Sequence, residues 1–187
     1  VEYWGTPAIS ALYVNNLKIL HNEVSNVPNS GISVGWGLAY TPDSTTSHDN
    51  LIQSNLITDL ALYSRDAGGV YLSGQQPGTI ADSNVTRRMK GDYACLYPDE
   101  GTAYITFTKN VCDTTPTWLH AHKNTIHDIQ ISDTYTNIQP MTNRGVNIQI
   151  ENTVYVNGQN WPLEAQAIID SAGLEEGYSY LYDWLDK

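Results

Sequence analysis

The chain of 187 residues is long enough to bury a core as one domain, and its nine Lys plus Arg against twenty Asp plus Glu give a formal charge of −11. That field repels phosphate backbones and anionic lipid, so neither nucleic acid nor membrane is an expected partner. Only 16% of residues are charged, while Tyr (13) and Trp (5) far outnumber Phe (1), a surface suited to neutral polar ligands such as sugars.

From the N-terminus, "VEYWGTPAIS" has neither the basic nor the apolar region of a signal peptide, and no stretch approaches the roughly 18–20 apolar residues that span a bilayer. A recurring phrase then begins: alternating apolar residues, an Asn or Asp, and another apolar residue or Thr. It reads "LKILHNEV" (Asn22), "NLIQSNLI" (Asn55), "GTIADSNVT" (Asn84), "YITFTKNV" (Asn110), "IQISDTY" (Asp133) and "VNIQIENTV" (Asn152), at spacings of 33, 29, 26, 23 and 19 residues. The alternation predicts short strands, and the Asn or Asp predicts a corner of left-handed geometry or a side-chain ladder. The apolar phase slips by one residue at Asn84, Asp133 and Asn152.

Behind the first four anchors lies a second short strand: "GISVGW", "GVYLSG", "YACLYP" and "TWLHAH". A strand pair per repeat, in constant order and without an intervening helix, predicts a right-handed, single-stranded parallel β-helix of about six coils, a rod roughly 25–30 Å long at about 4.8 Å per coil. A β-sandwich is the alternative for short strands between turns. Residues 1–160 form the coils on this reading. Residues 161–187 form a C-terminal capping helix and tail, in which Pro162 starts the helix and Gly173 stops it, covering the last coil. Val1 opens almost directly into the first coil, so that edge is expected to be covered by an N-terminal β-helix segment, a second chain or another copy.

The shrinking spacings place the longest loops, and hence any cleft, in the first coils. Aligning the second strands on Ile32, Val70, Ala94 and Trp118 sets Trp36, Gln75, Gln76, Asp99, Glu100, His120 and His122 at similar heights, with Asp66 just before one strand. Carboxylates, amides, imidazoles and indole are the groups that cradle a polar ring and protonate a leaving oxygen. Each has a structural reading beside it: Asp66 as a turn cap before Gly68-Gly69, Asp59 as a corner, "YPDEG" as a turn, one of the two histidines as a satisfied interior group. Nothing has the spacing of a metal site, no Gly-x-Ser-x-Gly elbow appears, and no cofactor is expected. Cys95 and Cys112 leave their pairing open, and Asn84-Val85-Thr86 is a glycosylation sequon.

"DAGGVYLSGQQPGT", "YPDEGT", "WLHAH" and the terminal "NWPLEAQAIIDSAGL" resemble the later coils and end helix of pectin-lyase-like β-helix proteins, in particular glycoside hydrolase family 136, the lacto-N-biosidases, and family 141. The resemblance implies a secreted glycosidase, or the C-terminal portion of one, acting on a neutral oligosaccharide. It implies acid/base and nucleophile-type roles for Asp59 and Asp66, seven residues apart, with Trp36, Gln75, Gln76, Asp99, Glu100, Trp118, His120 and His122 lining the groove. Relatives read His-Asp where this chain has Thr58-Asp59, and Asp-Gly-Gly where it has Asp66-Ala67-Gly68-Gly69. In other β-helix glycosidases the two acids come from different coils, which would pair Asp66 with Asp99 or Glu100. The alternative function is a non-catalytic rod, structural or adhesive, that assembles or binds glycans.

Overall fold

A computed structural model describes residues 5–35 and 46–185. The chain winds through coils of three strands. The first coil holds β1 (Ile9–Ala11), β2 (Lys18–Leu20) and β3 (Glu23–Ser25); the second, β4 (Ile32–Val34), β5 (Leu51–Gln53) and β6 (Leu56–Thr58). The third holds β7 (Val70–Leu72), β8 (Gln75–Asp82) and β9 (Val85–Arg87); the fourth, β10 (Ala94–Pro98), β11 (Ala103–Thr108) and β12 (Val111–Asp113). The fifth holds β13 (Thr117–Ala121), β14 (His127–Ser132) and β15 (Tyr135–Thr136); the sixth, β16 (Thr142–Asn143), β17 (Val146–Glu151) and β18 (Val154–Tyr155). Like strands of successive coils stack in parallel into three six-stranded sheets, one per side of the coil. This is a parallel β-helix.

Each repeat contains three strands rather than two, because the anchor phrase is itself two strands bent about its Asn. "LKILHNEV" is β2, a corner, and β3. The residue before the corner takes positive φ in every coil, at His21, Ser54, Ser83, Lys109, Asp133 and Asn152. The next residue points inward and builds a ladder. Asn22 N–H and Nδ2 both donate to Asn55 Oδ1 at 2.9 Å. Asn55 does the same to Asn84 at 3.1 and 2.8 Å, and Asn84 to Asn110 at 3.0 and 3.1 Å. Stacked amides thus satisfy backbone and side-chain groups that the corner would otherwise strand in the interior.

The register places Val111 beside Tyr135 and Tyr135 beside Val154, so the ladder positions of the last two coils are Thr134 and Thr153. Asp133 and Asn152 are the left-handed residues one step earlier. Asn84, by contrast, is in phase with the ladder. Its amide is buried and committed to Ile52 O and Asn110 Oδ1, which leaves the sequon nothing to glycosylate in the folded chain.

Inside the coil, columns of like residues fill the core: Ile32, Val70, Leu96 and Leu119 from the first sheet, and Ile52, Ala81, Phe107 and Ile131 from the second. Cys95 and Cys112 are joined by a disulfide that ties the first sheet to the third within the fourth coil.

The C-terminal helix α1 (Leu163–Ser171) does not lie over the last coil as the sequence reading has it. Ala165 packs with Val85 and Val111, and Leu56, Tyr135, Trp161 and Ile168 border the same cluster. These strand residues form the outward column of the third sheet, so α1 runs along the side of the rod. The tail continues back to the first two coils, where Gly173 N–H donates to Ser54 O of the second, His21 Nδ1 of the first meets Gly173 O at 3.2 Å, and Tyr182 donates to Glu23. The physical reason lies in that column, Leu56, Val85, Val111 and Tyr135: a sheet face this apolar needs a cover, and a helix supplies one.

Candidate active site

The outer face of the first sheet carries one column from each coil in turn: Ser10, Ser33, Tyr71, Tyr97, His120 and Thr142. Val70 pairs with Leu96, not with Ala94, a shift of two residues from the alignment read in the sequence. That two-residue offset is why the sequence alignment missed the tyrosines. With the correct register, two tyrosines and a histidine stand side by side in consecutive coils.

Their rings interlock. Tyr71 meets Tyr97 edge-on at 4.9 Å, Tyr93 lies 5.4 Å from Tyr97 and 4.3 Å from His120, and His120 stacks on His122 at 5.1 Å and 19°. Packing of this kind fixes ring orientation, so the polar tips are held in place. The tips hold two carboxylates reciprocally. Tyr97, on the fourth coil, donates from its hydroxyl to Asp66 Oδ1 of the third coil at 3.1 Å. Tyr71, on the third, donates to Asp99 Oδ2 of the fourth. His122 Nε2 approaches the other oxygen of Asp99 at 3.8 Å, while its buried Nδ1 has no hydrogen-bond partner among the described residues.

Burial, followed for Tyr71 by its hydrogen bond to Asp99 and for Tyr97 by the charge of Asp99, pushes both phenols well above the ordinary tyrosine range. Both therefore remain protonated donors over any working pH. His120 is pushed down to about 4 by burial and then by the neighbouring His122, so it is neutral near pH 7.

Gly68 shows why the acid is followed by such a turn. A Cβ at Gly68 would sit 2.7 Å from the Tyr97 Cβ, and one at Gly69 would meet Thr86 Oγ1 at 2.2 Å and Cys95 O at 2.7 Å. The glycines are required by close approach, which lets the chain carrying Asp66 lie against the ring that binds it. Asp66 is exposed and, with Tyr71, lines a concavity of about 200 Å³ together with Pro7, Asn29, Ser30 and Ser33. The step from small Ser33 to bulky Tyr71 in one outward column builds its wall.

Other sequence-selected residues are scattered more widely. Asp59 begins the connection between β6 and β7, and Asp66 lies further along it, ahead of Ala67, Gly68 and Gly69. Asp59 occupies a left-handed corner with φ of 51° and accepts both Nε (2.9 Å) and a terminal nitrogen (2.5 Å) of Arg88. That bond holds its carboxyl below the usual range. Glu100 is ion-paired with Lys123 beside the cluster. Gln76 is completely buried and donates to Val34 O and Ser73 O at 2.9 and 3.1 Å, closing the corner after β7. Gln75 opens β8 of the second sheet, and Trp118 is wholly in the core. Trp36 lies outside the described residues. Thus Asp66, Asp99, His120 and His122 are brought together, with Glu100 nearby, whereas Asp59, Gln76 and Trp118 stand elsewhere. The sequence reading did not find Tyr71, Tyr93 or Tyr97.

No protein-family model matches the chain, and no curated protein matches it. Among solved structures, a chain described as a "Glycoside hydrolase" aligns with probability 1.00, a TM-score of 0.62 and 27% identity, covering 95% of this chain and 26% of that one. The chain is similar to a glycoside hydrolase. It spans about a quarter of that hydrolase's length, and the similarity extends over the coils that carry the tyrosine-held carboxylates. Asp66 and Asp99 are thus held on the outer face of the first sheet by tyrosines of the adjacent coil.

Proposed function

We propose that the chain is the β-helix part of a glycosidase acting on a neutral oligosaccharide or glycan, with Asp66 and Asp99 as its two carboxyl groups. The observation that carries this reading is the reciprocal arrangement in which Tyr97 holds Asp66 and Tyr71 holds Asp99 across adjacent coils. One carboxyl protonates the leaving oxygen; the other activates water or attacks the anomeric carbon. Tyr93, His120 and the exposed edge of the ring cluster offer faces for sugar C–H groups, and His122 steadies Asp99. Asp59, engaged by Arg88, is the alternative partner that the resemblance to the lacto-N-biosidase family brings forward. The arrangement of Asp66 and Asp99 on neighbouring coils matches the two-coil pattern of other β-helix glycosidases.

We also place the protein outside the cell, a reading supported by the buried Cys95–Cys112 disulfide. Among the described residues the strands of the first coil pair only with those of the second, and we read their other edge as the docking edge for further β-helix coils, in the same chain or another copy. The match to one quarter of a longer hydrolase supports it.

Wild type and Asp66→Asn are to be compared on a panel of aryl glycosides and neutral oligosaccharides, with product release followed chromatographically. Hydrolysis of at least one substrate by wild type, lost in the variant, is expected. Equal hydrolysis by both would remove Asp66 from the chemistry, and no hydrolysis by wild type would favour a non-catalytic rod.

A further inference from the structure

We propose that the outer face of the second sheet, across the last three coils, is a separate binding surface for neutral polysaccharide. Two adjoining shallow concavities of about 260 and 320 Å³ lie there, sharing Thr106, Gln130 and Gln149. Those three residues form one outward column on β11, β14 and β17, so their polar groups repeat at about 4.8 Å along the rod. Glu151 and Ser132 edge the first concavity and Tyr104 the second.

The chemistry of this face fits a sugar chain. Gln130 and Gln149 are exposed, and their side chains, like those of Thr106 and Glu151, have no hydrogen-bond partner among the described residues. Each amide offers both a donor and an acceptor to a hydroxyl. In the same column the preceding coils present Leu51 and Ile80, the latter 38% exposed, so the track passes from apolar to amide. No lysine or arginine lines either concavity, which excludes a polyanionic chain.

Tyr104 provides an independent observation. In each coil the residue at the entrance to the second sheet takes positive φ, at Asn16, Asp49, Gly78, Tyr104, Asp128 and Asn147. Five are Asn, Asp or Gly, the residues that accept this conformation at little cost. Tyr104 is the exception: a bulky aromatic kept in a strained backbone, its ring 47% exposed and meeting His127 edge-on at 5.4 Å. Beside the amide column, an exposed ring on a disfavoured backbone points to a role outside folding. Here the ring is the platform on which a sugar stacks beside the amide column.

Affinity electrophoresis in gels cast with galactomannan, xyloglucan, mixed-linkage β-glucan or starch, with polygalacturonate as the acidic control, tests the proposal on the whole chain. Wild type is expected to be retarded in at least one neutral gel. Gln130→Ala combined with Gln149→Ala, and separately Tyr104→Asn, are expected to weaken that retardation at least about tenfold, whereas Tyr178→Ala, at an exposed aromatic of the C-terminal tail, leaves it unchanged. Because Asn accepts positive φ, Tyr104→Asn should unfold at the same temperature as wild type or higher, which separates lost binding from lost folding. Absence of retardation in every neutral gel, retardation in polygalacturonate alone, or retardation that survives both second-sheet variants overturns the proposal. Hydrolysis of glycosides is read separately and does not bear on it.

Discussion

At the scale of single residues, the candidate site depends on hydroxyls more than on acids. Asp66 and Asp99 are commonplace in sequence, and what distinguishes them is that Tyr97 and Tyr71 reach across a coil boundary to hold them. Asp66 stands out in the sequence through the resemblance of "DAGGVYLSGQQPGT" to β-helix glycosidases, since an acid ahead of two glycines is by itself an ordinary turn. The tyrosines do not, since the connections into β4, β7, β10 and β13 differ in length from coil to coil and only strand pairing sets the register. His120 carries a prediction of its own. Its folded pKa is lowered from 6.5 to about 4, so between those values the unfolded chain binds the extra proton. Stability from this group is therefore intact above about pH 6.5 and is lost as pH falls toward 4. Tyr93, Tyr97, His122, Asp99 and Arg144 surround it. Thermal unfolding of wild type and His120→Phe across pH 4–7 should show a shallower acid-side decline in the variant; parallel curves would rule out His120 as the source.

At the scale of elements, the anchor phrase was read correctly as a corner but counted as one strand when it holds two. The cause is physical. A left-handed residue followed by an inward Asn turns the chain within two residues, so apolar alternation barely breaks across it. The ladder also explains why Asp133 and Asn152 misled: Asn and Asp suit both the left-handed position and the inward one, and only hydrogen-bond partners tell them apart. Removing one rung should be costly because several groups lose partners together. Asn84→Ala strands Asn55 N–H and Nδ2 as well as Ile52 O, and is expected to destabilise by about 2–3 kcal/mol in urea unfolding. A loss under about 0.5 kcal/mol would mean that water replaces the rung.

At the scale of the whole molecule, the repeat was visible because each coil must present the same inward columns. The path of the C-terminal helix was not, since the likeness of a helix to an end cap says nothing about which apolar face lacks cover. The outward column of Leu56, Val85, Val111 and Tyr135 supplies that face, and the tail runs back along it to the first coil. The Cys95–Cys112 link closes a loop with a sequence separation of 17, worth about 3 kcal/mol on loop-closure grounds. Cys95→Ala with Cys112→Ala should shift the urea midpoint down accordingly while far-ultraviolet circular dichroism retains the β signature; an unchanged midpoint would show that the core alone fixes the fourth coil.

The central claim is that the carboxyl pair doing the chemistry is the one held by tyrosines across adjacent coils. It is tested most directly by kcat/KM for Asp66→Asn, Asp99→Asn and Asp59→Asn on one glycoside that wild type hydrolyses. Losses of about 10²–10⁴-fold for the first two, with Asp59→Asn within about threefold of wild type, are the expected result. An Asp99→Asn enzyme that keeps its activity while Asp59→Asn loses it would contradict the account.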